Sequence, residues 1–346
     1  MNRKELIEQT FPDGVDALWC PLLTHYIVRY SHVTVDRRRM AAQLRTLTPY
    51  VRRFLLGGST GDGWDLNPQQ FNDLLAFAEH EPYWTWDTRF LVGALCPSTA
   101  EVVRRVQIIL SRLGDGRAPN FAGLTVCPPV DPSASQQGIH DHYARVAQQA
   151  GSVPLAVYQL PQVTGCEIEP ATLAALVEEF PNICLFKDSS GTDTVARTGQ
   201  GLDGMVLLRG AEGHYAEALK TNGGLYDGLL LSTANVLAYS LWNLVDLASG
   251  TEKEVTQRRS EQLTRLAERL FKAVAACSTG NAFSNASRAV DHLVAHGAYW
   301  NRVEPPMLFD GSRLPVEVLR TVAALFDEAE EVPEHGYFLH RYVGLE

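Results

Sequence analysis

Several things are scarce in this chain, and each scarcity excludes a class of protein. The six cysteines (Cys20, Cys96, Cys127, Cys166, Cys184 and Cys277) form no CxxC pair and no metal-ligand spacing, which removes a zinc ribbon and a disulfide scaffold from consideration. Four of them sit within or at the ends of apolar runs, as reduced core thiols of a cytoplasmic protein do. No basic run exceeds Arg37-Arg38-Arg39 and the formal net charge is -10, so neither a nucleic acid nor an anionic membrane is an expected partner. The Met1-Asn2-Arg3-Lys4-Glu5 start has no apolar stretch behind it, and no window approaches about 18 uninterrupted apolar residues. The reading is of a soluble chain without export signal or membrane span. Lysine is also sparse: between Lys4 and Lys220 the only one is Lys187.

What is present is a large hydrophobic inventory. With 346 residues, 45% of them hydrophobic and 20% charged, one big α/β domain with an appendage folds without covalent staples. Val15 to Pro21 is a short apolar run stopped by proline, and Asp36 then caps a helical stripe of Met40, Leu44, Leu47 and Val51. The same alternation recurs. Phe54 to Gly58 precedes a helix from Pro68 to Glu79, and Phe90 to Leu95 precedes a Ser98/Glu101 capping box. Phe121 to Val126 precedes a helix from His140 to Ala150, and Leu155 to Tyr158 precedes one from Pro170 to Phe180. Ile183 to Lys187, Val206 to Gly210 and Gly228 to Ser232 complete eight strands. Continuously apolar strands alternating with amphipathic helices imply a parallel sheet covered by helices, and eight such units suit closure: a (β/α)8 TIM barrel over residues 1-248. From residue 249 to 346 strands cease, and Val255, Leu263, Leu266, Leu270 and Val274 mark a helical C-terminal region. Its tail, Asp327 to Glu346, reads as a docking arm or a frayed end.

Chemistry in such a barrel comes from the carboxyl ends of the strands. Lys187 ends the sixth strand, and desolvation at a strand mouth disfavours an ammonium, leaving an amine that condenses with ketones. The plainer alternative is a lysine that closes its strand and snorkels to water. Tyr158 ends the fifth strand, where a phenol shuttles protons beside such an amine, or else merely packs on a helix. The Gly57-Gly58-Ser59-Thr60-Gly61 turn follows the second strand; it offers N–H groups and hydroxyls to a carboxylate, or else is only a tight βα loop. Three separated stretches converging on one face are hard to ascribe to coincidence.

These stretches carry a resemblance. GGSTGDGWDLNPQQ (Gly57 to Gln70), YQLPQVTG (Tyr158 to Gly165), FKDSSG (Phe186 to Gly191) and YDGLLLSTANV (Tyr226 to Val236) together resemble the dihydrodipicolinate synthase and N-acetylneuraminate lyase family of Schiff-base pyruvate lyases and aldolases. The resemblance implies a cytoplasmic homodimer or homotetramer that acts on pyruvate or another 2-oxo acid. Lys187 would form the imine, Tyr158 would act as acid and base, and Ser59 and Thr60 would hold the carboxylate. The imine is its own electron sink, so this reading calls for no metal and no organic cofactor. It also points to Gly210, Glu212 and Ser232 as the wall around the substrate's far end, where sialic acid lyases use an acidic residue and a serine to bind sugar hydroxyls. The alternatives are that Glu212 caps a helix beginning near His214 and that Ser232 is a rim hydroxyl.

The departures bear on substrate. Val163 stands where the synthases carry an arginine for the second substrate's carboxylate, so bidentate capture is missing. After the fourth strand Cys127-Pro128-Pro129-Val130-Asp131-Pro132 offers no tyrosine before Tyr143, and Gln159 replaces the usual asparagine after the catalytic tyrosine. A synthase with a rebuilt second-substrate site remains the enzymatic alternative. A non-catalytic 2-oxo acid sensor is the alternative from another class, and retention of both Lys187 and Tyr158 speaks against it.

Overall fold

The computed structural model describes residues 1–328 and 336–338. Eight parallel strands close into a barrel: β1 (Leu18–Pro21), β4 (Arg53–Leu56), β5 (Arg89–Gly93), β6 (Phe121–Val126), β7 (Leu155–Gln159), β8 (Ile183–Asp188), β9 (Val206–Arg209) and β10 (Gly228–Leu230). Strands β2 (Tyr26–Arg29) and β3 (His32–Val35) form a separate antiparallel hairpin between β1 and the first barrel helix. Its two turn residues, Tyr30 and Ser31, both take positive φ (48° and 65°) without being glycine or asparagine. The sequence therefore carries no hairpin signal there.

In chain order the helices are α1 (Arg3–Thr10), α2 (Arg37–Leu47), α3 (Pro68–Ala78), α4 (Thr99–Leu113), α5 (Gln136–Ala150), the short α6 (Pro161–Thr164) and α7 (Pro170–Glu179). They continue with α8 (Thr194–Thr198), α9 (Tyr215–Ala218), α10 (Ala238–Ser249), α11 (Lys253–Val274), α12 (Ala282–His296) and α13 (Val316–Glu328). Local chemistry explains the starts: Asn67 caps α3 with Pro68 in its first turn, the Ser98/Glu101 box caps α4, and Ser135 caps α5 four residues earlier than His140–Ala150 periodicity alone indicates.

Alternate residues of each strand face opposite sides, which divides the core in two. Trp19, Leu55, Leu91, Ala156, Leu185, Leu208 and Leu230 fill the barrel, while Phe54, Val92, Leu124, Val157 and Phe186 pack outward under the helices. Helix α1 closes the amino end of the barrel. Its Leu6 and the following Phe11 join the inner cluster, and Arg3 donates to the carbonyl oxygens of Ile183 (2.7 Å) and Val177. At the carboxyl end the chain runs close: a side chain at Gly63 would place its first carbon 1.8 Å from the Gly57 carbonyl oxygen, so the turn after β4 needs glycine there.

The C-terminal helices do not hang from the barrel. Helix α12 is buried on nearly every side, against α11, α13 and the loops after β4 and β10. Most of the Asp327–Glu346 tail lies outside the described residues; within it, Phe338 N–H donates to the Ala295 carbonyl (2.9 Å) and the Tyr337 hydroxyl to Asp291 (2.6 Å). Among the described residues no helix is long and apolar enough to cross a membrane.

Candidate active site

Tyr158 and Lys187 are direct neighbours in the β7–β8 register. Because Val157 and Phe186 point outward, both side chains enter the barrel mouth, where the Lys187 ammonium nitrogen lies 4.0 Å from the centre of the Tyr158 ring. Both residues are buried, and among the described residues neither the amine nor the phenol hydroxyl has a hydrogen-bond partner. Their polar tips are free to meet a third molecule. Around the phenol stand Leu95, Cys127, Leu160 and Trp64. Burial raises the Cys127 thiol well above its ordinary value, so it is an apolar wall, not a nucleophile.

Ser59 and Thr60 occupy a one-turn 3-10 segment, Ser59–Gly61, directly after β4, and both are buried. Among the described residues their own N–H groups donate to nothing, while the Ser59 carbonyl is engaged by Asp62 N–H (3.1 Å), Asn281 (2.9 Å) and Ser284 (3.1 Å). The Trp64 indole N–H donates to the Ser59 hydroxyl oxygen at 3.0 Å. Composition and periodicity do not mark Trp64 as a site residue. An indole only donates, so Trp64 orients Ser59 without being able to relay a proton.

Gly210 follows β9 and lies against the lysine: a carbon added to it would be 2.7 Å from Lys187 Cε and 2.2 Å from Ser189 Oγ. Two residues on, Glu212 meets Ser232 and the residue after it. One carboxylate oxygen accepts from the Ser232 hydroxyl (2.6 Å) and Thr233 N–H (3.0 Å), the other from the Thr233 hydroxyl (2.7 Å) and the Tyr215 hydroxyl (2.9 Å). Glu212 makes no capping bond to α9, and Ser232 begins a 3-10 turn, Ser232–Asn235, where a strand end was expected. Burial and the adjacent Glu212 push the Tyr215 phenol well above its usual range, which keeps it a neutral donor.

Behind the lysine, Asp188 is fully buried and accepts from Ser190 N–H (2.9 Å) and its hydroxyl (2.6 Å). The Tyr226 hydroxyl reaches both Asp193 (2.7 Å) and Asp188 (3.2 Å), and burial raises the Asp188 carboxyl above the ordinary range. This network pins the strand end that carries Lys187. The Asp of FKDSSG and the Tyr of YDGLLL were visible as motif letters, but their meeting was not.

The remaining departures have structural uses. Gln159 is buried and its side-chain oxygen accepts from Ile168 N–H (2.8 Å), tying down the segment after α6. Tyr143, the first tyrosine after β6, spends its hydroxyl on the Val126 carbonyl (3.1 Å), so that hydroxyl is not offered to the barrel mouth. Val163 lies on α6 and is 40% exposed. No group of three or more His, Cys, Asp or Glu among the described residues is placed to hold a metal ion.

A closed eight-stranded parallel barrel with a buried lysine beside a phenol at the carboxyl ends of its strands has the layout of a barrel enzyme. The model of the dihydrodipicolinate synthetase family matches residues 54–285, about two thirds of the sequence, and the chain belongs to that family of lyases. Two relatives are named 4-hydroxy-tetrahydrodipicolinate synthase. That of Chlorobium phaeovibrioides is 28% identical over 213 residues, covering 60% of this chain and 67% of its own. That of Chlorobium luteolum is 29% identical over 178 residues, covering 50% and 56%. The second alignment thus reaches little more than half of the relative's length. Among solved structures, dihydrodipicolinate synthase from Aquifex aeolicus superposes with a TM-score of 0.68 at 18% identity, over 93% of this chain and all of the other. The 2-keto-3-deoxygluconate aldolase of Sulfolobus superposes with 0.68 at 15%, over 91% and 96%. At those identities the likeness is one of fold.

Proposed function

We propose that this lyase is of the class I, Schiff-base type and that its substrate is a 2-oxo acid. The Lys187 amine attacks the keto carbon, Tyr158 gives its proton to the departing hydroxide, and the water so formed leaves a protonated imine beside the Tyr158 phenolate. When a 4-hydroxy-2-oxo acid is bound, Tyr158 takes the proton from the C4 hydroxyl, the C3–C4 bond breaks, and its electron pair passes into the imine as an enamine. An aldehyde leaves. Protonation of the enamine at C3 and hydrolysis of the imine release the smaller 2-oxo acid and return the amine, and the same steps run backwards make the bond. The free N–H groups of Ser59 and Thr60, the Thr60 hydroxyl and the proton of the Ser59 hydroxyl hold the C1 carboxylate. The observation that carries the reading is the unpartnered amine 4.0 Å above the ring of an unpartnered phenol, deep in the barrel mouth.

For the far end of the substrate we infer a neutral hydroxylated chain. Ser232 donates its proton to Glu212, which leaves its oxygen free to accept from a substrate hydroxyl, while the Glu212 charge repels a second carboxylate. Val163 offers no guanidinium. The names of the curated relatives favour a second reading, a 4-hydroxy-tetrahydrodipicolinate synthase whose second-substrate site has been rebuilt. The barrel over 1-248 and the helical region over 249-346 act on this reading as one unit, and the family resemblance extends it to a cytoplasmic homodimer or homotetramer.

The test is borohydride reduction in the presence of pyruvate and a panel of 2-oxo acids, read by intact mass and peptide mapping. One reduced adduct on Lys187 is expected. No adduct across the panel, or an adduct on Lys220 or Lys272, overturns the proposal.

A further inference from the structure

Helix α12 lies across the catalytic face, and the polar groups on one of its sides grip the loops there in succession. Asn281, its N-cap, accepts from Ser284 N–H through its oxygen (2.9 Å) and donates through its nitrogen to the Ser59 carbonyl (2.9 Å). The Ser284 hydroxyl is 3.1 Å from the Ser59 carbonyl oxygen and 3.0 Å from that of Thr60. The Ser287 hydroxyl donates to the Ser232 carbonyl (3.0 Å). Arg288 donates to the Thr24 carbonyl (3.0 Å) and pairs with Asp62, the residue that ends the Ser59–Gly61 turn; Asp62 also accepts from the Tyr26 hydroxyl (2.7 Å). Positions 281, 284 and 288 recur at helical spacing, so a single face of α12 serves the turn after β4.

Cohesion alone does not account for this arrangement. Arg288 is 1% exposed and Asp62 is wholly buried, and a buried ion pair is commonly no more stabilising than apolar residues of the same volume. Burial opposes the Arg288 charge, and Asp62 together with Tyr26 and Asp291 more than restores it, so the guanidinium stays charged. What the pair and its neighbours do supply is orientation. In a trans peptide the C=O and N–H point in opposite directions. Holding the Ser59 and Thr60 carbonyls toward α12 turns the N–H groups of the same peptide planes, those of Thr60 and Gly61, away from it. The Gly61 N–H is taken by the Gly58 carbonyl (3.0 Å), whereas the Thr60 N–H donates to nothing among the described residues.

We propose that α12 is the positioning element of the carboxylate turn: Asn281 and Ser284 set the Ser59–Thr60 peptide plane so that the Thr60 N–H faces the substrate carboxylate, and Arg288 with Asp62 fixes where the turn ends. This rests on the reading of Ser59 and Thr60 as the carboxylate holders. These α12 residues act through the turn, as positioning residues.

The experiment uses the full chain and three variants. Asn281→Asp keeps the capping oxygen and removes the donor; Ser284→Ala removes the hydroxyl; Ser284→Thr keeps it. Each of the first two is expected to raise KM for the 2-oxo acid about fivefold, the worth of one hydrogen bond, with kcat within about twofold of wild type, and Ser284→Thr to restore KM. Amide hydrogen exchange at residues 57–66 should quicken in Asn281→Asp and Ser284→Ala while the barrel strands exchange as before. Unchanged KM together with unchanged exchange in that segment overturns the proposal. So does a joint fall in kcat and melting temperature that Ser284→Thr does not repair, since that is the mark of a merely structural helix. If wild type forms no imine with any 2-oxo acid, the lyase reading falls, and the exchange data still decide whether α12 holds the turn.

Discussion

Gly210 touches the side chain of Lys187: a methyl group there would come within 2.7 Å of the lysine Cε. The two nearest neighbours, Lys187 Cε and Ser189 Oγ (2.2 Å), are both side-chain atoms, so a Gly210→Ala variant is expected to fold and to push the serine hydroxyl and the amine aside. Displacing a reacting group by about 1 Å costs on the order of 100-fold in rate. The expected outcome is a near-normal melting temperature with turnover reduced about 100-fold, checked by calorimetry and steady-state kinetics. Wild-type turnover in this variant means that Lys187 is not the reacting amine.

Tyr158→Phe removes one hydroxyl that has no partner among the described residues, so stability should hardly change. Turnover should fall roughly 100- to 10,000-fold, the usual worth of a positioned acid and base. Full activity would show that the phenol only packs.

Trp64→Phe keeps a ring against Tyr158 but loses the indole bond to Ser59. With its hydroxyl free to rotate, Ser59 should bind the carboxylate less well, raising KM about fivefold and leaving kcat nearly unchanged, as befits a contact made in ground and transition states alike. A change confined to kcat would instead place Ser59 in proton transfer.

Condensation of pyruvate with aspartate semialdehyde should be poor, because exposed Val163 stands where a carboxylate-binding arginine would be. A lost charge-assisted contact costs about 1.5–3 kcal/mol, roughly ten- to a hundredfold in binding. Cleavage of sugar-derived 2-oxo-3-deoxy acids should in turn exceed cleavage of dicarboxylic 4-hydroxy-2-oxo acids, with the preference reduced in Glu212→Ala. Robust turnover in a coupled synthase assay promotes the second reading.

Stability should fall on mild acidification. Burial lowers His142 to about 4, with its ring held between the Thr99 hydroxyl (2.8 Å) and the Cys127 carbonyl (3.0 Å), and burial likewise lowers His25 to about 4. Unfolded, both take a proton near 6.5; folded, they resist it until about 4. The unfolded state therefore binds protons first, and the stability present above pH 6.5 declines between 6.5 and 4. Urea midpoints at pH 7, 5.5 and 4.5 should drop in that order, and less so in His142→Gln. A flat series rules out buried neutral imidazoles.

The residues alone were enough for the barrel, because its signals are local: apolar runs of strand length, helical stripes between them, and caps such as Ser98 with Glu101. A lysine, a tyrosine and a glycine turn at strand ends were legible for the same reason, since in this architecture the end of a strand is already an address. The hairpin of β2 and β3 was not, because its turn is made by Tyr30 and Ser31 against their own preference. Nor were the partners. Asn281 grips Ser59 from 222 positions away and Arg288 grips Asp62 from 226, Glu212 turns to Ser232 and Thr233, and Trp64 rests on Ser59. Hydrogen bonds between distant residues leave no period and no spacing in a chain. They are settled only when packed elements aim two side chains at one point, and so the candidate residues could be named from the sequence while their orientation waited for the tertiary structure.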